Sequence, residues 1–316
     1  MRNWIVRMLA VLAIVRGSGA ASSSALDPAG PQASRIADLW WMFFWITAGV
    51  YVLVIIAMLL TLWRRNAGAP SEVIGPNPKV ERGATVVVST CVGITAVILF
   101  ALMLADLFTG RALHAREANP LAITVTGHQW WWHIQYNDGS PSNWVTTANE
   151  LHIPTGRMIE FELKSPDVIH SFWFPSLNGK KDLVPGHPTR ATFRADRPGM
   201  YLGQCAEFCG LQHAHMRLTL VAEEPQKFSE WYKAQQQTPS EPSDDSEKRG
   251  KQIFLTTSCV LCHTIRGTTA AATVGPDLTH IASRRMIGAG TLTNEPAAAI
   301  TLRFLDTPRD FADRLV

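Results

Sequence analysis

The sequence predicts three parts in order: a two-helix transmembrane hairpin, an all-β sandwich or barrel, and a small separate C-terminal domain. Three observations carry this. Two long uncharged runs lie near the N-terminus, short alternating segments follow, and a polar stretch then divides the chain. The 316 residues are about two domains' worth at ~150 residues each. Hydrophobic residues make up 47%, which excludes disorder as the whole answer. The net charge of +3 is too small to argue for a nucleic-acid partner, and no basic stripe with interleaved aromatics occurs. Five cysteines are too few for a disulfide scaffold of this size.

The hairpin comes first. Leu39 to Trp63 is 25 residues without a charge. At helical rise it spans roughly 37 Å, enough for a ~30 Å hydrocarbon core with tilt. Ala84 to Ala105 is a second uncharged run, ended by Asp106, and the span is expected over 84–108. A buried soluble helix would carry a polar stripe, and neither run does. Trp40, Trp41, Trp45 and Trp63 lie towards the ends of the first run, as an aromatic belt would. Arg64, Arg65, Lys79 and Arg82 between the runs place that loop in the cytoplasm and both termini outside. Met8 to Val15 is apolar but too short to span. With Arg2, Arg7 and Ser18-Gly19-Ala20 around it, residues 1–20 read as a secretory signal peptide, although Arg16 departs from that pattern.

The exported part follows. Ala122 to Thr126, Met158 to Leu163, Ala191 to Ala195 and Met216 to Val221 alternate apolar and polar residues between Gly, Pro and Asn punctuation. They predict a β-sandwich or barrel over 120–234, closed by a short helix at Phe228 to Ala234. Gln235 to Glu247 is rich in Gln, Pro, Ser and acids and reads as a flexible linker. A small domain occupies 248–316.

Four of the five cysteines fall in two close pairs. Cys205 and Cys209 keep company with Glu207 between them, His213 and Met216 after them, and His170 upstream. An oxidising compartment invites a disulfide. The neighbouring imidazoles and thioether instead suit copper, and a Met donor argues against zinc. Two thiolates with three residues between them can bridge two metals in a compact site.

CAEFCGLQHAHM resembles the dinuclear copper (CuA) loop of subunit II of haem–copper cytochrome c oxidases. The double span and the aromatic segment Gly127 to Tyr136 resemble the same family, so the likeness runs over 35–234, with 35–109 as the membrane hairpin. It implies a cupredoxin-like all-β Greek-key sandwich or barrel. It implies dinuclear copper bound by the side chains of His170, Cys205, Cys209, His213 and Met216 and by the backbone carbonyl of Glu207. The Glu207 side chain then helps to hold magnesium at the boundary with subunit I. Trp130 takes the place of the family's electron-entry residue, with core packing as the alternative. Strand alternation would send Trp130 and Trp132 to one face and Trp131 to the other. Glu81 resembles the acid at a proton-channel entrance, with a solvated charge as the alternative. His114, His128, His133, His152, His187 and His215 show no partner pattern and are read as structural or exposed.

Cys259-Val-Leu-Cys262-His263 is a haem c attachment signature: two thiols add to the vinyl groups and His263 is axial to the iron. With KRGKQIF before it and Gly275 to Leu278 after it, the segment resembles a small all-α cytochrome c domain. Its end departs from that family. The distal ligand is Met286, or His280, or is missing because the C-terminus is altered.

Together these resemblances imply an electron-transfer subunit of a terminal cytochrome c oxidase. Electrons pass from haem c through CuA to catalytic subunit I, which reduces oxygen to water with proton pumping. The partners implied are subunits I and III and an upstream cytochrome c or respiratory complex as donor. The location implied is the bacterial inner membrane. The tether presents the donor at high effective concentration. Alternatives are the CuA subunit of a nitric oxide reductase, a non-redox assembly subunit of an oxidase, and a periplasmic copper carrier.

Overall fold

The computed structural model describes residues 23–66, 78–113 and 119–295. The signal-peptide expectation, His114 and the last 21 residues lie outside them. The described chain forms two units, one of residues 34–116 and one of the remainder.

The membrane unit holds α1 (Pro31–Asn66) and α2 (Pro78–Leu113). Each opens on a proline, whose fixed φ suits a first helical turn. Both are longer than the expected spans 39–63 and 84–108, because a helix continues beyond the hydrocarbon where charges such as Arg35, Asp38, Lys79 and Arg111 can be solvated. Their most apolar windows reach a mean hydropathy of 2.5, with 0% and 6% of the window buried. Side chains such as Leu53, Val54, Leu99 and Phe100 stay uncovered, as lipid-facing residues do.

The second unit begins with a short strap. Ala29 donates its N–H to the Ser176 carbonyl and accepts from Asp196, at 2.7 and 2.8 Å. Behind it two five-stranded sheets pack face to face. One has the order β3-β2-β1-β5-β8, where β1 is Leu121–His128, β2 Trp131–Tyr136, β3 Val145–Ala148, β5 Ile159–Lys164 and β8 Thr189–Phe193. The other has the order β4-β10-β9-β6-β7, where β4 is Glu150–Pro154, β6 His170–Trp173, β7 Lys181–Leu183, β9 Gly199–Cys205 and β10 Arg217–Glu223. β1 pairs with β5 in parallel and β4 with β10 in parallel; the other pairings are antiparallel. Alternation fixes which side faces in. Trp132, Ile134 and Tyr136 of β2 and Ile159, Phe161 and Leu163 of β5 are fully buried. Phe161, Phe172, Phe174 and Phe193 fill the centre with ring centroids 4.7–6.3 Å apart.

α3 (Pro225–Gln236) closes one edge. It starts before and ends after the expected helix, and so takes in the first two residues of the expected linker. α4 (Asp245–Thr256) begins three residues before the expected start of the small domain. The cause is a capping box: Asp244 accepts the Glu247 N–H at 2.8 Å, and Glu247 accepts the Ser243 N–H at 2.7 Å. Short 3₁₀ turns and a two-stranded hairpin, β11 (Met286–Ile287) with β12 (Leu292–Thr293), follow.

β4 is buried on both faces, and it carries charges. His152 Nε2 lies 3.1 Å from Glu150 and Nδ1 lies 3.3 Å from Glu223, with the ring stacked on Trp231 at 4.2 Å. Burial lowers the His152 pKa, but the two carboxylates outweigh it and raise it above the ordinary value. Arg285 and Lys227 act on the Glu223 side of the cluster. A raised folded pKa adds stability in full below the unfolded value of about 6.5, and loses it as pH rises through the folded value. The Tm of the purified chain is therefore expected to fall between pH 6 and pH 9. His152→Gln is expected to cost about 3 kcal/mol at pH 6 and to flatten that slope. Thermal unfolding followed by circular dichroism checks both; parallel slopes for the two proteins would refute the assignment.

Candidate functional site

The sequence-predicted donors converge at one end of the second sheet. β9 ends in Cys205, which pairs with Phe172 of β6, two residues beyond His170. The loop after β9 turns back, and Met216 leads into β10 as Cys205 N–H bonds its carbonyl at 2.9 Å. A 3₁₀ turn, His213–His215, sets His213 between them. His170, Cys205 and Cys209 are buried, with donor atoms all within 4.8 Å of one another. The two sulfurs lie 3.8 Å apart. His213 Nδ1 is 3.6 Å from the Cys209 sulfur and Met216 Sδ is 3.8 Å from it. The Glu207 carbonyl lies 3.2 Å from the Cys205 sulfur. All six predicted positions are thus brought together.

The chemistry of this set calls for a cation. Burial pushes the Cys205 thiol up, but the His170 imidazole and the Glu207 and Ser171 backbone overcome it and lower it to about 7. Burial and then the adjacent Cys205 charge push Cys209 up to about 12. Two thiolates this close repel, so both ionise only with positive charge between them. Soft sulfur donors with two imidazoles match copper.

Residues that sequence reasoning missed orient the donors. Asp167 Oδ1 accepts from His170 Nε2 at 2.8 Å, which leaves Nδ1 turned to Cys205 at 3.9 Å. Asp167 is itself held by the N–H groups of Val168 and Gln129 at 2.6 and 2.8 Å. The Gln129 side chain then donates to the Cys209 carbonyl at 2.7 Å. The only local signal was Asp167 three residues before His170. Trp130 needs a correction. β2 begins at Trp131, so Trp130 lies in the turn before it and strand alternation does not apply. Its ring packs against the core, and its indole N–H donates to the Cys209 carbonyl at 3.0 Å.

Glu207 places its carboxylate outside, 3.4 Å from the Lys180 ammonium. Glu81 lies in the first turn of α2, where a negative charge favours the helix N-terminus.

In the small domain, Cys259 and Cys262 are exposed in a 3₁₀ turn after α4. His263 Nδ1 hydrogen-bonds the Pro276 carbonyl at 2.8 Å, leaving Nε2 for an iron. A Cβ at Gly275 would lie 2.7 Å from the His263 ring, so this cradle admits only glycine. Leu261 and Val274 stay 70% and 72% exposed, apolar surface that a flat macrocycle would cover. These residues fit haem c. His280 Nε2 faces the Gln237 carbonyl at 3.1 Å, and Met286 lies half-buried in β11.

Two outcomes follow. Asp167→Ala is expected to weaken copper binding about 10–100-fold, read by spectral titration of the reduced protein, with Tm little changed. Gly275→Ala is expected to displace His263 and to lose the low-spin haem spectrum while thioether attachment persists in denaturing gels.

Comparison with known proteins places this architecture. Residues 140–223 match the family model for the cytochrome c oxidase subunit II periplasmic domain, and residues 247–301 match the cytochrome c model. The chain is 36% identical to cytochrome c oxidase subunit 2 of Alkalihalophilus pseudofirmus, covering 87% of this chain and 80% of that one. It is 30% identical to quinol oxidase subunit 2 of Bacillus cereus, over 70% of this chain and 75% of that one. Among solved structures it resembles the periplasmic domain of cytochrome oxidase subunit II of Bradyrhizobium japonicum, with 30% identity, a TM-score of 0.35 and coverage of 38% of this chain and 94% of that one. The chain belongs to the cytochrome c oxidase subunit II family and carries a cytochrome c domain at its C-terminal end.

Proposed function

We propose that this chain is the electron-transfer subunit of a terminal oxidase, carrying electrons from haem c through a dinuclear copper centre to catalytic subunit I, where oxygen is reduced with proton pumping. The observation that carries this is the buried His170–Cys205–Cys209 cluster, with His213 and Met216 on the Cys209 sulfur, in one chain with a haem attachment motif. Copper held by these soft donors would supply one-electron transfer. His170, Cys205, Cys209, His213, Met216 and the Glu207 carbonyl are the holding groups. Cys259 and Cys262 would attach the haem, and His263, with Nδ1 held by the Pro276 carbonyl, would offer Nε2 to its iron. The sandwich excludes water from the thiols, and Asp167 keeps the His170 ring in register.

Trp130 is the entry point for electrons from an external donor. Its hydrogen bond to the Cys209 carbonyl supports that role, since it joins a half-buried indole to a metal-holding residue. Glu81 is proposed at a proton entrance of the membrane unit. The Glu207 carboxylate, which lies beside the Lys180 ammonium, is proposed as one magnesium ligand at the subunit I boundary. The complex is proposed to include subunits I and III and to take electrons from an upstream cytochrome or respiratory complex. The hairpin sits in the inner membrane with both ends of the chain outside. The residue boundaries 1–20, 35–109, 120–234, 235–247 and 248–316 are proposed with the end corrections given above.

Quinol oxidase subunits are among the relatives, which keeps a second reading in view. The intact pair Cys205 and Cys209 favours the copper-bearing one. Metal analysis of the purified chain is expected to give two coppers and one iron per chain with a purple mixed-valence spectrum. No copper after reconstitution would overturn the proposal, and one exchangeable copper would make the chain a carrier.

A further inference from the structure

The small domain meets the sandwich through one segment. Arg284 donates from its guanidinium to the Asp277 carbonyl, next to Pro276, whose carbonyl holds His263. The next residue, Arg285, donates its N–H across to the buried Glu150 carboxylate at 2.8 Å. Glu150 is already fixed by His152, so the acceptor is rigid. The segment then turns through Gly288, Ala289 and Gly290, all at positive φ of 57°, 54° and 78°. That turn aims the Ala289 carbonyl at the Arg217 N–H, 2.9 Å away. Arg217 follows Met216 directly. Gly290 packs on Arg217 so closely that a Cβ there would lie 3.2 Å from the Arg217 side chain.

These contacts form a continuous run from the His263 loop to the Met216 end of the copper loop. Both ends are anchored on neighbouring strands, since Glu150 opens β4 and Arg217 opens β10, and the two strands pair in parallel. The polar stretch after α3 is tied as well. Arg266 donates to the Gln235 carbonyl at 2.5 Å, and Gln235 is buried.

We propose that Arg284–Gly290 is a docking strut that fixes the haem-bearing domain against the copper-bearing end of the sandwich, with Glu150 and the Arg217 N–H as its two sockets. The domain is then a donor held in one orientation, where a linker alone would leave it free to sample many. Glu150 is a positioning residue: it touches no metal ligand and acts through the backbone of Arg285. The consequence for electron delivery rests on the proposed haem and copper roles; the docking itself does not.

Hydrogen exchange on the full-length chain in detergent, read by mass spectrometry, tests this. The Arg217 and Arg285 amides are expected to be protected together in the unaltered chain. Glu150→Ala and Gly290→Val each remove one socket, and each is expected to speed exchange at both amides about tenfold or more. The amides of β1 and β5 serve as the control for folding and are expected to stay protected. A rate of electron passage from haem to copper after flash reduction is expected to fall about tenfold in the same variants, with metal content unchanged. Unprotected Arg285 in the unaltered chain would overturn the proposal. So would either variant leaving the two amides and the rate unmoved while β1 and β5 stay folded. Loss of copper in the unaltered chain would instead count against the proposed function and leave the exchange result standing.

Discussion

Two buried sulfurs 3.8 Å apart set the terms for the exported half of this molecule. Burial opposes the ionisation of both thiols; the groups around Cys205 overcome it there, and the Cys205 charge makes the Cys209 thiolate harder still to form. The surrounding structure answers that with position. β6 brings His170 and β9 brings Cys205 to the same sheet end, and the loop back to β10 delivers Cys209, His213 and Met216. The sandwich core below, with its four phenylalanines, is what keeps the strand ends from drifting. Close packing leaves little slack, so a ligand set at the strand ends is held as firmly as the strands themselves.

The orienting layer is shared between sheets. Asp167 lies between β5 and β6 and holds His170. It is held in turn by the Gln129 backbone, and the Gln129 side chain grips the Cys209 carbonyl. The turn between β1 and β2 in one sheet thus locks the cysteine loop of the other. This arrangement suits a centre that passes electrons, because the donors are buried and no open channel to them is required. The rim is different: Phe208 and Leu211 stand 76% and 75% exposed on the same loop. Buried donors under an apolar rim allow approach of another surface without admitting water to the sulfurs.

The donors themselves were legible because metal ligation imposes spacing and residue type at once. Cys205, Cys209, His213 and Met216 sit within twelve residues, and few other roles need that mixture. Asp167 and Gln129 were not legible. Their partners lie 38 and 80 residues away for Gln129, and Asp and Gln are common in loops for many reasons. The four strands with clean alternation could be read. β4 could not, since it is buried on both faces and its polar residues satisfy one another, nor could β9, whose glycines interrupt the pattern. The strap before α1 carries no periodicity at all; its hydrogen bonds reach residues 176 and 196. The helix ends ran past the apolar spans because hydropathy marks where lipid is, while a helix stops only where its backbone bonds stop.

The small domain shows what composition leaves unread. Low charge and a polar stretch at 235–247 predict a tethered donor, and the altered end expected from the sequence falls on residues 300–316, outside the described ones. Before that end, Arg284–Gly290 makes the backbone contacts to Glu150 and Arg217. A flexible tether raises encounter frequency but leaves orientation to chance. Electron transfer falls away with separation, so the time spent in one close arrangement counts for more than the number of encounters. Ala289 at positive φ, between two glycines that adopt it freely, is a local cost that a merely exposed loop has no reason to carry. Here they direct one carbonyl at the residue after Met216. A hairpin shaped to meet the sandwich is under different selection from one shaped to cover a haem. Contacts that reach Glu150 and Arg217 give Arg284–Gly290 a role of its own, separate from covering a haem.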